Sequence, residues 1–331
     1  MRQASTCATR RRTAIAAVAV GGLLALLAAG CGGSGSGIAT FTSNPRDFPS
    51  AKGRTLGQII AGLPTGPVLA PSVSVLIPGV NRFGFALFTS ARKQITGPPV
   101  ALYIGSATGA DAQGPFPVRQ ESLAVEPAFQ SQTVASDPYA AKSVDVANVP
   151  FTHAKLQAVV AIARIGGKLV ASNAAGVQIG SGVGGPPTVG QKAILIHTPT
   201  VASVGGNVRL IDTRTPPDDM HKVDFADVVG KKPVILLFAT PQLCQSRVCG
   251  PVVDIEEQME SRYASQADFI HMEIYNDNEV SKGFRPQVGA YRLPTEPWMF
   301  AIDRRGTIVA RIEGAFSADE LKQAIQKAIS S

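Results

Sequence analysis

Alternation of apolar and polar residues dominates the first half of the chain. Phe83, Phe85 and Leu87 recur at every second position, which places all three on one face of a predicted strand. Two glycines at 166 and 167 predict a tight hairpin between two further strands. The other runs with this pattern are also predicted strands: 72–77, 100–104, 143–149, 156–165 and 168–179.

Short strands separated by turn residues are typical of a small all-β sandwich of immunoglobulin type, which we predict over residues 66–180. The stretch 109–137 shows the least alternation and is predicted to be a long loop lying on the sandwich. Residues 180–187 read Gly-Ser-Gly-Val-Gly-Gly-Pro-Pro, the composition of a flexible linker. The predicted domain boundary therefore lies there, with residues 181–215 as linker and connecting arm.

The pattern changes to alternating strands and helices over residues 216–331. The continuous apolar run 234–238 predicts a strand buried on both faces. Apolar residues at helical spacing follow Pro251, and Ser317 with Glu320 is a capping box that begins the last helix. The remaining predicted elements are a strand at 269–274 and a hairpin formed by 298–302 and 307–312. This second domain is predicted to be α/β.

The N-terminus has the composition of an export signal. A basic start ending at Arg12 precedes an apolar run of about 16 residues, shorter than the roughly 20 that span a membrane. Small residues, Cys31 and a Gly/Ser stretch follow, an arrangement that resembles a bacterial lipoprotein lipobox, although Ala28 stands where that family more often has leucine. The alternatives are an ordinary secretory signal or an uncleaved anchor.

The lipobox resemblance has consequences for localisation. It implies that residues 1–31 are the lipoprotein signal region and that Cys31 carries the lipid. The mature chain would then be attached to the cell membrane on its extracytoplasmic face, with residues 32–65 as a polar tether. Of the four cysteines, Cys7 would be discarded and Cys31 modified, which leaves Cys244 and Cys249 in a compartment where disulfides persist.

Charge and motifs exclude several classes of function. The net charge of +7 falls to +3 once the four arginines before Cys31 are removed. No basic run is interleaved with aromatic residues, so we do not predict nucleic-acid binding. Walker, GxSxG and HExxH motifs are also absent from the sequence, which gives no support to nucleotide-binding or hydrolase functions. We predict neither a cofactor nor a metal site.

The second domain resembles the thioredoxin superfamily, specifically its membrane-tethered oxidoreductases. Three segments carry the resemblance over about residues 216–331: Phe238-Ala239-Thr240, Cys249-Gly250-Pro251 and Glu296-Pro297-Trp298. It implies a cis Pro297 beside Cys244 and Cys249, with the Glu296 backbone free to pair with an extended peptide. It also implies a redox-active disulfide that exchanges with protein thiols or disulfides outside the cytoplasm.

The cysteine spacing departs from the family, because four residues instead of two separate Cys244 from Cys249. On one continuous helix this separation is about 7.5 Å of rise, beyond the usual Cα distance of about 4.4–6.8 Å. A bond therefore requires Cys244 in a loop that curls back to Cys249 at the helix start. Chain order favours Cys244 as the attacking thiol, whereas the helix dipole and Arg247 favour Cys249.

Other interpretations remain open. The disulfide could be purely structural in a non-catalytic binding or assembly module, with an unidentified partner for the β-sandwich. The Cys-x4-Cys pattern also resembles atypical two-cysteine peroxiredoxins, but their peroxide-orienting arginine would fall at about Pro297. A third family, the Sco-type copper chaperones, pairs two cysteines with a distant histidine. His271, predicted to be packed and hydrogen-bonded, and His221, predicted in a solvated loop, lie elsewhere.

Overall fold

A computed structural model describes residues 40–152 and 154–331. The predicted signal region, Cys31 and the Gly/Ser start of the tether lie outside these residues, so the predictions about them stay predictions. In the part of the chain that is described, no helix has both the length and the hydropathy needed to cross a membrane.

Two antiparallel sheets make up the first half, as the alternating pattern predicts. Sheet A has the order β1-β7-β8-β3-β2 with β4 beside β3, and sheet B has the order β10-β9-β5-β6 with β11 beside β9. The strands of sheet A are β1 (Phe41–Thr42), β2 (Val68–Pro71), β3 (Gly79–Phe88), β4 (Gln94–Ile95), β7 (Arg119–Ser122) and β8 (Ser143–Phe151). Those of sheet B are β5 (Val100–Ser106), β6 (Gln113–Pro117), β9 (Leu156–Ile165), β10 (Lys168–Ala171) and β11 (Ala175–Gln178).

The two sheets share one apolar core. Phe83, Phe85 and Leu87 are all buried and belong to the same cluster as Leu102 and Val159 of sheet B. Burial of alternate side chains on facing sheets is the packing of a β-sandwich. The all-β character of this half is confirmed, and its assignment to the immunoglobulin type stays a prediction.

The structure differs from the predicted tether after residue 40. Thr55 caps a short helix, α1 (Leu56–Ile60), whose Leu56 and Ile59 are buried. These side chains pack with Tyr103 and Val160 on the outer face of sheet B. The reason is the apolar face of α1, which would otherwise be exposed to water. A second difference is the predicted strand 72–77, of which only Leu76 forms a bridge, with Ile179.

The second half is an α/β unit around sheet C. Its strands are β12 (Val234–Phe238), β13 (Asp268–Met272), β14 (Trp298–Ile302) and β15 (Ile308–Glu313). They lie in the order β13-β12-β14-β15, with β12 and β13 parallel and the other two neighbouring pairs antiparallel. The helices are α3 (Phe225–Val228), α4 (Cys249–Tyr263), α5 (Pro286–Ala290) and α6 (Ala318–Ser330).

Helices cover both faces of sheet C. Ile255 of α4 and Leu321 of α6 pack on one face, and Phe225 and Val288 pack on the other. A strand, cysteine loop, helix, parallel strand, helix, hairpin and final helix form the thioredoxin-like fold that the sequence predicts. The connecting arm, predicted only to link the two domains, also packs on sheet C. Its Ile196 is buried in the same apolar cluster as Phe225 and Val288.

The structure differs from the long loop predicted for residues 109–137. We call residues 123–141 the cap segment. The first part of the predicted loop forms β6 and β7, and the cap segment then lies on the second half instead of on the sandwich. It contains the short helix α2 (Gln132–Ser136), and its Leu123, Val125 and Ala141 pack into the apolar cluster around α4. The described residues, 40–152 and 154–331, belong to one compact unit. No local periodicity specifies such a contact, because its partner lies more than a hundred residues along the chain.

Candidate functional site

The cysteine pair is joined in a disulfide at the point where β12 gives way to α4. Cys249 is the first residue of α4, and Cys244 lies in the preceding loop with a Cα–Cα distance of 6.0 Å. Two backbone bonds curl this loop: Cys244 N–H donates to Thr240 O at 3.1 Å, and Arg247 N–H donates to Cys244 O at 3.3 Å. The loop thus brings the two cysteines within the usual disulfide range despite their spacing.

The cap segment covers this disulfide. Cys244 is 3% exposed and Cys249 is fully buried. A Cβ at position 250 would lie 2.8 Å from Val134 Cγ2, so Gly250 is needed for the close approach of α2. Ala141 N–H donates to Arg247 O at 3.1 Å. The disulfide therefore lies beneath a segment contributed by the other half of the chain.

A buried polar network holds the cap segment in place. Ser131 donates from its backbone N–H and its hydroxyl to Asp254 Oδ2 of α4, at 3.0 and 3.1 Å. Arg214 donates from Nε to Asp254 Oδ1 at 2.9 Å and from Nη2 to Phe129 O at 2.8 Å. Buried charges are tolerated when they are paired and hydrogen-bonded in this way. The network thus ties the cap segment to α4, the helix that begins at Cys249.

Glu296 brings an acid to the disulfide. Its peptide bond to Pro297 is cis, and its carboxyl Oε2 lies 3.4 Å from Cys249 Sγ. Burial raises the pKa of Glu296 to about 7, against the opposing effect of hydrogen bonds from Thr240. A carboxyl group with a pKa near neutrality can donate or accept a proton at physiological pH. The sequence predicts a role only for the backbone of this residue, in pairing with an extended peptide. An acidic side chain directly before Pro297 was the available signal.

A second buried acid lies just beyond β13. Thr213 N–H donates to Glu273 Oε1 at 2.6 Å, and burial raises the pKa of this carboxyl group. The charge of Glu273 contributes to the raised pKa of Glu296. Acids near the cysteines thus come from the segments after β13 and before β14, whereas the strand preceding the cysteine loop has none.

A surface cleft of about 520 Å³ opens between α2 and the cysteine loop. Its walls include Thr133, Asp137, Pro241 and Arg247, and the Arg247 guanidinium pairs with Asp137 at 3.4 Å. The cleft is polar and open to solvent.

His221 and His271 lie side by side, with their ring centroids 5.1 Å apart. His271 is packed and hydrogen-bonded on both ring nitrogens, to Asp218 Oδ2 at 2.7 Å and to Ala239 O at 3.0 Å. The prediction for His221 needs correction, because it is 2% exposed and not in a solvated loop. The arm folds inward there, so that Asp212 and Asp218 face the imidazole ring.

No protein-family model matches the chain, and no curated protein matches it. Two solved structures from Chlorobium tepidum are similar to part of it. One is provisionally described as thiol:disulfide interchange protein DsbE, with 21% identity and a TM-score of 0.31, covering 43% of this chain and 98% of that one. The other is a thiol:disulfide interchange protein of the thioredoxin family, with 17% identity and a TM-score of 0.29, covering 43% and 99%. Likenesses this distant carry no conclusion about activity.

Proposed function

We propose that this protein exchanges disulfides with protein thiols through Cys244 and Cys249. One observation carries the proposal: the disulfide lies at the start of α4 with the Glu296 carboxyl group 3.4 Å from Cys249 Sγ. The helix N-terminus favours a thiolate at Cys249, and the carboxyl group supplies a proton partner for it.

The exchange proceeds in two steps that conserve electrons. A substrate thiolate attacks Cys244 Sγ, the Cys244–Cys249 bond breaks, and Cys249 leaves as a thiolate that takes a proton from Glu296. A second thiol of the substrate then attacks the mixed disulfide and releases Cys244 as a thiolate. The substrate gains a disulfide and the cysteine pair accepts two electrons. The same steps in reverse reduce a substrate disulfide.

Local contacts favour Cys244 as the sulfur that meets the substrate. It is the less deeply buried of the pair, and Ser246 Oγ lies 3.2 Å from its Sγ, where the hydroxyl can donate to a thiolate. Cys249 is fully enclosed and faces Glu296. These positions suit an outer attacking cysteine and an inner resolving cysteine.

Trapping experiments test the proposal. Cys249→Ser should accumulate a mixed disulfide with a peptide that contains a disulfide, because the Cys244 thiolate attacks that bond, releases one peptide thiolate and has no second cysteine to resolve it. Cys244→Ser should not, because its remaining sulfur is enclosed. Equilibration in glutathione buffers should give a reduction potential above about −300 mV. A potential well below this value, together with no mixed disulfide from either variant, would refute exchange.

A structural disulfide in a binding or assembly module is the second candidate, and the burial of both sulfurs favours it. A Cys244→Ser/Cys249→Ser double variant that keeps full cellular function would support this candidate. Peroxidase chemistry has less support: in the described part of the chain, no arginine side chain hydrogen bonds to either cysteine sulfur. Peroxide consumption with a thiol donor tests it directly.

Copper handling is the remaining alternative. The two cysteine sulfurs and a Glu296 carboxylate oxygen lie within 4.8 Å of one another, so the reduced pair could hold a soft cation. Titration of the reduced protein with copper(I) separates this function from exchange. A chaperone should bind one ion tightly and lose it on oxidation of the pair.

We also propose that the chain works outside the cytoplasm, attached to the membrane through lipid on Cys31. The lipobox resemblance and a disulfide between the remaining cysteines support this location. The sandwich, predicted to be of immunoglobulin type, would position or recruit partners there. Detergent partitioning tests the anchor. The wild-type chain should enter the detergent phase, and Cys31→Ser should stay in the aqueous phase or keep its unprocessed signal.

A further inference from the structure

Four ligand-type side chains converge in the second half, on the arm before α3 and on β13. Asp212, Asp218, His221 and His271 are each between 1% and 6% exposed. One nitrogen or oxygen of each lies within 4.8 Å of the others. The cluster shares no residue with the cysteine site. Neither the exchange mechanism nor the packing of the sheet uses it.

His221 Nε2 is the anomaly in this cluster. It is buried and has no hydrogen-bond partner, although it faces Asp218 Oδ1 at 3.5 Å and Asp212 Oδ2 at 3.7 Å. These distances are too long for good N–H···O bonds. They are close to the separation of about 3.4 Å between ligands at a tetrahedral ion with bonds of 2.0–2.1 Å. The nitrogen is therefore aimed at a position between two carboxylates.

The two carboxylates are held in place by the backbone. Asp218 N–H donates to Asp212 Oδ2 at 2.7 Å, and Met220 N–H donates to Asp218 Oδ1 at 2.9 Å. Each of these oxygens keeps a second lone pair that can bind a cation. Their orientation is thus fixed by the fold of the arm before any ion binds.

His271 has the outer contact that metal-bound histidines usually make. Its Nε2 lies 3.0 Å from Ala239 O, so an N–H donated there leaves Nδ1 as the nitrogen that faces the cluster. A proton now joins Nδ1 to Asp218 Oδ2 across 2.7 Å. A bound cation would take the place of that proton.

We propose that Asp212, Asp218, His221 and His271 bind one divalent first-row transition ion, with zinc as the best chemical fit. Two imidazoles and two carboxylates form a donor set that suits zinc, and a closed site of four protein ligands is typical of a structural ion. The ion balances the two carboxylate charges in a region where unpaired charge is costly. It fastens the arm to β13 and to Ala239, next to the cysteine loop.

Metal titration of the oxidised protein tests this site independently of the cysteines, because disulfide sulfurs do not bind the ion. The Cys31→Ser chain, made without a histidine tag, is refolded with Co²⁺ or Zn²⁺ and also titrated in its native state. We expect one ion per chain, tetrahedral cobalt absorption bands and a higher unfolding temperature. Uptake only after reduction would place the ion at the cysteines and overturn the proposal.

Matched variants locate the ion. His221→Gln should weaken zinc binding by at least about 100-fold, since even outer-shell changes cost 10–100-fold. His197→Gln is the control, because His197 is largely exposed and pairs with Asp224 outside the cluster. Asp212→Asn provides a second test if His221→Gln folds poorly. Equal zinc affinity in wild-type and cluster variants, or no uptake by the wild type, would overturn the proposal.

Discussion

Glu296 is the single side chain on which the proposed exchange chemistry depends most. Its protonated form supplies the leaving Cys249 thiolate with a proton, and burial raises its pKa to about 7. Glu296→Gln should therefore slow reduction of the disulfide by about 100-fold below pH 7, the usual size of general-acid effects. Above that pH the wild-type carboxyl group is ionised, so the two rates should converge.

Single-turnover reduction by dithiothreitol, followed from about pH 5 to about pH 9, gives the ratio of the wild-type rate to the Glu296→Gln rate at each pH. Glu279→Gln, an exposed change of the same kind, serves as the control. A wild-type to Glu296→Gln ratio that stays constant over the whole range would show that the carboxyl group acts only through the local structure.

Asp145 of β8 is a buried acid that should make stability depend on pH. It accepts a hydrogen bond from Gln120 Nε2 at 3.0 Å, and burial raises its pKa to about 7. The folded protein thus holds the proton more tightly than the unfolded chain, whose aspartates titrate near 3.9. Its stabilising contribution is complete below about pH 4 and is lost as the pH rises to about 7.

Asp145→Asn should remove this loss while keeping an oxygen acceptor for Gln120. The pKa difference corresponds to at most about 4 kcal/mol of unfolding free energy above pH 7. Urea unfolding at several pH values compares the two proteins, and their curves should diverge between about pH 4 and pH 7. Parallel curves would mean that Asp145 does not keep its proton on folding.

At the scale of elements, the cap segment should limit how fast the disulfide reacts. Ser131 contributes a hydroxyl bond to Asp254 and also caps α2 through Val134 N–H. Ser131→Ala removes both bonds at a cost of about 1–2 kcal/mol, so the cap segment should open about tenfold more often. Reduction by a small dithiol should accelerate by a similar factor.

Ser136→Ala is the matched control for this prediction. Ser136 lies in the same helix, but its hydroxyl is exposed and bonds only within α2. Its reduction rate should stay near that of the wild type. If Ser131→Ala and Ser136→Ala react equally fast, opening of the cap segment does not limit access to the cysteines.

The elements that the sequence predicts well are those with a strong local pattern. The bounds of β9 and β12 match the predicted runs, and the capping box of Ser317 does begin α6. Local patterns could not predict how the cap segment and the arm pack, because the residues that they contact lie far along the chain. Their side chains look polar or irregular until α4 and sheet C provide a surface to pack against.

The same limit applies to the candidate site. Counting cysteines was enough to find Cys244 and Cys249, since only these remain after the proposed processing. The Glu296 side chain reaches the disulfide through a tertiary contact with Cys249. His221 is buried through tertiary contacts with Asp212 and Asp218. No spacing rule links these residues, so only the fold reveals them.

At the scale of the whole molecule, Arg82 joins the sandwich to the last helix. Its guanidinium donates from Nε and Nη2 to the two Glu320 oxygens, at 2.7 and 2.6 Å, and from Nη2 to Ala315 O at 2.8 Å. Bidentate pairs of this kind are strong when partly buried. The cap segment adds an apolar contact between the same two halves. The two halves should therefore unfold in one cooperative transition.

Arg82→Ala tests this coupling because the residue lies in one half and the only tryptophan, Trp298, lies in the other. Loss of the guanidinium leaves Glu320 largely unpaired, so stability should fall by about 3 kcal/mol. In Arg82→Ala, the urea unfolding curves followed by Trp298 fluorescence and by far-UV circular dichroism should shift together. The control is Lys222→Ala, which removes exposed ion pairs within the second half and should cost less than about 1 kcal/mol of stability. An unchanged Trp298 transition in Arg82→Ala would show that the sandwich and the thioredoxin-like unit fold independently.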